Sequence, residues 1–383
     1  MYWFLSKNWS GLLIALIFGA ISAALYFGGE RFVPQSSYFL EIAGGILAVC
    51  SSLLVLGSLF HLVNCHKNSV RHPAPGKKID VGGYKMHILA EGENHNNVTV
   101  VWIPGSHDQG LAFHHLHLLA AKETRSILFD RPGSGWSDPG PFPRRVSLEA
   151  KELHTLLAKA DEKGPFILAA HSLGGLLAQN FAEMYPEKTA GLLLLDSACP
   201  DTTIYTSTLK NNKIPGASLS MWCLTAFGVA WIVTRRMLKA APKWLTIYKD
   251  AIQPLVIGGN CQPKLGIGFI SALKSLTDFP LDMVKGDGRL GTLPVTAIIP
   301  PVSFEQQLKD TLPLLPQMSE REVRNFIHLR IDAQHQNARL SECGELHFSP
   351  EGTTHGFPFE TPGFVIDKLH SLMARIKQRA AEK

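Results

Sequence analysis

The sequence predicts an α/β protein with a mostly parallel central sheet and a helical cap, preceded by two transmembrane helices. Three observations carry that prediction. Compact apolar runs alternate with helical stretches after residue 79, two long uncharged runs come before them, and the stretch 199–293 interrupts the alternation without a strand run of its own. At 383 residues the chain has room for one large domain and an appendage. Its 45% hydrophobic and 18% charged residues exclude a disordered or collagen-like polymer.

In chain order, the first element is Trp9 to Phe27, nineteen residues without a charge. At ~1.5 Å per residue that is close to a bilayer's hydrocarbon thickness. The second run, Ile42 to Val63, is also uncharged. Tyr2, Trp3, Phe4 and Trp9 gather at the start of the first run and Tyr38 and Phe39 before the second, as membrane–water interfaces favour. A cleavable signal peptide is the competing reading of the first run, because Ala20-Ile21-Ser22 offers a small-x-small site. Lys7 alone is a weak basic leader for it. Residues 1–66 are therefore expected to form a two-span anchor.

Residues 67–78 hold Lys67, Arg71, Lys77 and Lys78, with no acid, two prolines and a glycine. That composition marks a linker, and a basic cluster beside a span stays on the cytoplasmic side. The remainder, 79–383, is expected to face the cytoplasm. Because this cluster accounts for most of the net charge of +5, nucleic acid is not an expected partner. The six cysteines show no CxxC spacing, which predicts free thiols and no zinc site.

Within the large domain, Val98–Pro104, Ser126–Asp130, Pro165–Ala170, Gly191–Asp196 and Val295–Ile299 read as buried parallel strands. Ser147–Ala160 and Leu173–Tyr185 read as helices between them. The strandless stretch 199–293 is too long for a simple connection and predicts a structured cap. Within it, Ser218 to Val233 is sixteen uncharged residues followed by Arg235, Arg236, Lys239 and Lys243. It is expected to be a lid helix that lines an apolar pocket or lies on the membrane with its basic end at the head groups.

Ala170-His171-Ser172-Leu173-Gly174-Gly175 follows a strand and opens a helix. A serine on so sharp a turn needs small residues two before and two after it, and Ala170 and Gly174 supply them. The Leu173 amide then stands at the helix start, where N–H groups and the helix dipole favour negative charge. Capping the helix is the plainer role for Ser172, but a cap does not require small neighbours on both sides.

On these residues the sequence resembles the α/β-hydrolase superfamily over roughly 78–375. Gly83-Tyr84-Lys85-Met86-His87-Ile88 looks like the first hairpin of that fold, and Trp102-Ile103-Pro104-Gly105-Ser106 looks like its oxyanion strand and loop, with Pro104 in place of the usual histidine. Asp130-Arg131-Pro132-Gly133-Ser134-Gly135-Trp136-Ser137 matches the D-x-P-G-x-G-x-S turn, and 345–363 looks like the last strand and histidine loop. The resemblance implies Ser172 as nucleophile, His355 as base, the Ser106 and Leu173 amides as oxyanion donors, and no cofactor.

The acid has two candidates. Many family members carry it after the strand before the last, which here leads to Ser303, with Glu305 the nearest carboxylate. The other location is the end of the preceding strand, which supplies Asp196 in the family order Ser172, Asp196, His355. His335 and His347 fall on regular elements and are expected to be packing or surface residues. Asp130 is expected to fix its own loop. His114, His115 and His117 have no carboxylate beside them in sequence, so no metal site is expected there. The function implied is cleavage of a lipophilic ester substrate by a membrane-anchored serine hydrolase. An acyltransferase or thioesterase on the same residues, or an inactive membrane-bound scaffold, are the alternatives.

Overall fold

The computed structural model describes residues 1–32, 37–94, 97–105, 108–199, 214–239, 253–278, 288–301, 303–314 and 318–382. Helix α1 spans Ser10–Phe32 and α2 spans Ser37–Arg71. They pack antiparallel through small residues: Ser22 Oγ donates to the Gly44 carbonyl and Ser51 Oγ to the Ala15 carbonyl, both at 2.7 Å. Gly19 lies against Ser51, and close backbone approach of this kind is how apolar helices associate in lipid. Outward-facing Ile17, Ile46, Leu53 and Leu56 are half exposed or more. Both helices are long and apolar enough to cross a membrane.

Helix α2 runs past the expected end of the second span and through the first part of the expected linker. Nothing between Asn64 and His72 breaks a helix, and Pro73 is the first residue that does. The linker is thereby shortened, since strand β1 (Lys77–Asp80) starts four residues beyond Pro73.

Eight strands form one sheet in the order β1-β2-β4-β3-β5-β6-β7-β8. β1 and β2 (Lys85–Glu91) are the antiparallel hairpin, and β2 also pairs antiparallel with β4 (Arg125–Phe129). From β4 on, all pairings are parallel: β3 (Thr99–Ile103), β5 (Phe166–His171), β6 (Thr189–Leu195), β7 (Val295–Ile299) and β8 (Gly344–Phe348). Every residue of β3, β5 and β7 is buried, which is why these strands read as continuous apolar runs.

Helices cover both faces of the sheet. α4 (Val146–Lys159) and α5 (Gly174–Met184) close one apolar core with Ile103, Leu168 and Leu194. α3 (His114–Ala120) and α12 (Pro362–Ala381) close the other with Trp102, Leu193 and Ile298. Between β7 and β8 the chain adds α10 (Phe304–Thr311) and α11 (Glu320–Arg339), the latter opened by a capping box of Ser319 and Glu322.

The described part of the cap comprises α6 (Ile214–Ala226), α7 (Val229–Lys239), α8 (Gln253–Asn260) and α9 (Pro263–Asp278). The single lid helix expected over Ser218–Val233 is in fact two. Gly228 takes φ +77°, a conformation open to glycine and costly for other residues, and it turns the chain between α6 and α7. This hairpin sits on the anchor. Trp222 Nε1 donates to the Leu5 carbonyl (3.0 Å) and Ser10 Oγ (3.2 Å), while Trp231 Nε1 donates to His61 Nδ1 (3.2 Å). A side chain on Gly57 would lie 2.7 Å from the Phe227 carbonyl oxygen, so the surfaces meet backbone to backbone.

Candidate active site

Ser172 lies on the turn from β5 into α5 with φ +53°. A non-glycine residue is held there at a cost of about 1–3 kcal/mol only when its surroundings over-determine it. They do: the Ser172 N–H donates to Leu195 O (3.2 Å), and its carbonyl accepts from Gly175 N (3.0 Å) and Ala198 N (2.8 Å). Gly174 is required by space, since a Cβ there would lie 2.6 Å from Pro104 O and 2.7 Å from Ile103 O. Leu173 is the N-cap residue of α5, so its amide is among the helix-start N–H groups without an intrahelical acceptor. Ser106, the other expected oxyanion donor, lies outside the described residues. Its neighbour Gly105 approaches the serine so closely that a Cβ on it would be 3.2 Å from Ser172 Cβ.

Asp196 follows β6 and is also held at positive φ, +42°, with its N–H on Ile298 O at 2.8 Å. Its Oδ2 is 2.5 Å from His355 Nδ1. Asp196 is buried and His355 half exposed, so the imidazole is anchored from below with its other edge toward solvent. The loop after β8 that carries His355 is fastened by Thr354, whose N–H (3.0 Å) and Oγ1 (2.6 Å) both donate to the Glu360 carboxylate. His171, the residue before Ser172, stacks on His355 at 4.4 Å between ring centroids and hydrogen-bonds the His355 carbonyl through Nε2 at 2.9 Å. Ser172, His355 and Asp196 therefore share one end of the sheet, beyond the carboxyl ends of β5, β6 and β8.

Glu305 is elsewhere. It is exposed on the first turn of α10, 3.3 Å from Arg324, and Ser303 before it is the helix cap that accepts from the Gln306 N–H. His335 is on α11, and His347 is on β8 beside Glu345. Asp130 is buried and accepts from His87 Nδ1 (2.8 Å), Gly110 N (2.8 Å) and Trp136 N (2.9 Å), which ties β2 and two loops together. Burial would push His87 down, but the Asp130 charge and hydrogen bond outweigh it and hold the imidazole above its usual range. His117 bridges Ser126 Oγ (2.9 Å) and Glu91 Oε2 (3.0 Å). No cluster able to hold a metal ion occurs among the described residues.

Two contributors had no sequence signal pointing to them. Gln334 on α11 donates through Nε2 to Asp196 Oδ1, so both carboxylate oxygens are occupied. Asp108 follows the Gly105 loop, and its Oδ2 lies 3.4 Å from where a Gly105 Cβ would be, with the buried His171 Nδ1 3.6 Å from the same point. Burial holds the Asp108 carboxyl above the usual range, with His355 pulling the other way. Burial, helped by His355, pushes His171 down to about 3, so its ring is neutral. Its Nδ1 has no hydrogen-bond partner among the described residues.

Comparison with known proteins bears on the frame of this site. Among solved structures, an esterase from Thermogutta terrifontis superposes with TM-score 0.50 at 16% identity, covering 78% of this chain and 99% of that one. A putative epoxide hydrolase from Pseudomonas aeruginosa superposes with TM-score 0.54 at 14% identity, covering 79% and 96%. At such identities the likeness is one of fold. The uncharacterized protein YbdG of Bacillus subtilis is 27% identical over 164 residues, 42% of this chain and 49% of that one. An uncharacterized vacuolar membrane protein of Saccharomyces cerevisiae is 28% identical over 134 residues, 30% of this chain and 20% of its own length. The chain thus spans half or less of the length of these curated relatives. The model of the alpha/beta hydrolase family matches residues 100–368, from β3 through the His355 loop into α12, and with the strand order and the serine turn this makes the chain a member of that family.

Proposed function

We propose that the chain is a membrane-anchored serine hydrolase that cleaves a lipophilic carboxylic ester through an acyl-enzyme intermediate. The observation that carries this reading is the strained serine at the end of β5 together with a histidine whose Nδ1 is held by a buried aspartate. Ser172 Oγ attacks the ester carbonyl and passes its proton to His355 Nε2, which returns it to the leaving alcohol. Asp196 fixes the imidazole tautomer and stabilises the imidazolium, and Gln334 holds the carboxylate in place. The Leu173 and Ser106 amides receive the oxyanion. Among the described residues the Ser172 hydroxyl makes no hydrogen bond, and catalytic bonds of this kind commonly tighten only in the substrate complex.

The fold neighbours include epoxide hydrolases as well as esterases. A serine at the elbow favours acyl chemistry over the carboxylate nucleophile that epoxide opening uses. A lipophilic substrate is supported by the two apolar helices and by a cap docked on them. No cofactor is needed for these steps.

The experiment is labelling of the full-length protein with a fluorophosphonate probe, followed by turnover of a chain-length panel of p-nitrophenyl esters. Wild-type protein should label and turn over, and Ser172→Ala should do neither while unfolding at the wild-type temperature. An unlabelled wild type would favour the scaffold reading. For topology, a reporter fused after Lys383 should read as cytoplasmic because Lys67, Arg71, Lys77 and Lys78 flank the second span; an exported reporter would reverse the orientation.

A further inference from the structure

A cavity of about 130 Å³ lies between the last turns of α2, the helix α7 of the cap and Ile257 of α8. Lys67, Arg71 and Arg235 line it, with the amides of Asn64 and Asn68, and no carboxylate among the described residues does. Asn64, Lys67, Asn68 and Arg71 recur at three- and four-residue spacing, so they form one stripe of α2 facing the cap. Arg235 arrives from a different element. It is held by Asn64, whose Oδ1 accepts from Nη2 at 3.2 Å, and by the Trp231 ring, whose centroid is 5.6 Å from its guanidinium carbon.

Cations at the end of α2 have an ordinary explanation in the helix dipole and in the charge bias of membrane proteins. That explanation covers Lys67 and Arg71. It does not account for a third cation brought in from the cap to the same cavity, where no described carboxylate offsets the three charges. The volume is several times the ~30 Å³ share of a liquid water, enough for a tetrahedral oxyanion with part of its ester. The level also fits. The apolar run of α2 ends at Val63, and residues 64–71 continue about 12 Å beyond it at ~1.5 Å per residue, through the head-group layer and just past it.

We propose that this cavity binds a phosphate-bearing anion, supplied as the head group of an anionic phospholipid. For that source the inference rests on the membrane reading given above; the anion chemistry does not. Arg71 and Arg235 supply forked donors that match phosphate oxygens, Lys67 adds a point charge, and the Asn68 carboxamide adds a further donor, while Asn64 is engaged by Arg235 and the Phe60 carbonyl. Because the site joins α2 to α7, an occupied cavity fastens the cap to the anchor.

The test is thermal unfolding of the full chain in a non-ionic detergent, titrated separately with dihexanoylphosphatidic acid, dihexanoylphosphatidylcholine and inorganic phosphate. Phosphatidic acid should raise the unfolding midpoint saturably and at lower concentration than either of the others. Arg71→Gln with Arg235→Gln should weaken its apparent affinity at least about tenfold, the expected loss of charge-assisted hydrogen bonds. An unchanged affinity in that double variant, or equal response to phosphatidylcholine, overturns the proposal. Inorganic phosphate saturating at the same concentration as the lipid overturns the lipid as source. Fluorophosphonate labelling of Ser172 in the same samples reports separately on the hydrolase reading and should not differ between variant and wild type.

Discussion

Two aspartates in this site have the same side chain and opposite surroundings. Asp196 accepts hydrogen bonds from His355 and Gln334, whereas Asp108 is held above the usual carboxyl range by burial next to the Gly105 loop. The same substitution should therefore separate them. Asp196→Asn should lower turnover by about 10⁴-fold with little change in substrate binding, the magnitude seen when a serine hydrolase loses its orienting carboxylate. Asp108→Asn alters a carboxyl that no step of the proposed mechanism uses and should retain activity. Glu305→Gln should be silent, since that side chain is exposed on α10 with Arg324. Turnover of a p-nitrophenyl ester by the three variants decides it, and an active Asp196→Asn would show that the orienting group is some other residue. The contact of Asp196 with His355 was one of two that the motif order allowed, Glu305 being the other, and 159 residues separate the pair. Gln334 was not foreseeable, because one glutamine on a polar helix looks like any other until the fold brings it to a partner 138 residues away.

At the scale of elements, legibility followed burial. Parallel strands covered on both faces leave continuous apolar runs, so β7 sits at the residues the sequence indicated and the other parallel strands within one or two residues of them. Helix ends were less legible where the stop signal was local and isolated: α2 continues to the turn before Pro73, and Gly228 breaks the cap hairpin. What the strand pattern could not show is how α4 is held. It presents Glu149 and Glu152 inward, both buried. Arg144, itself buried, bonds Glu152 through Nη1 at 2.9 Å and again through Nη2, and lies 3.5 Å from Glu149. Tyr84 of the first hairpin also bonds Glu152, Arg131 of the turn after β4 also bonds Glu149, and the Arg144 N–H donates to Ser271 of α9 at 3.1 Å. Arg144→Met keeps the volume and removes the cation from buried Glu152, while Glu149 keeps Arg131. It should cost about 3–5 kcal/mol, read as a lower urea midpoint at constant slope. A change within ~0.5 kcal/mol, the range of an ordinary surface substitution, would mean that Arg144 is not what neutralises Glu152.

For the whole molecule, the cap is the piece that makes the two apolar helices and the α/β domain interdependent. On one side α8 and α9 hold the catalytic domain: Asn260 Oδ1 accepts from Gln109 Nε2 at 2.9 Å, and Lys264 Nζ donates to the carbonyls of Gly135 (2.6 Å) and Ser137 (2.7 Å) on the turn after β4. On the other side α6 and α7 hold the anchor through two tryptophans, Trp222 and Trp231, which are 4% and 1% exposed. Their indole donors end on Leu5, Ser10 and His61, all within the first 66 residues. Composition suggests a division at the basic linker, but the packing does not stop there. A chain beginning at residue 79 would expose both indole rings and leave their N–H groups to water, adding them to the apolar outer faces of Leu224, Val229, Ile232 and Val233. A patch of that kind drives association in a soluble protein. The shortened chain, expressed without detergent, should therefore aggregate or elute as a high-mass species, and replacing Trp222 and Trp231 by Gln in it should reduce the association. Recovery of the unaltered shortened chain as a monomer would show that the cap is self-sufficient and that its seat on the two apolar helices is not part of what keeps it folded.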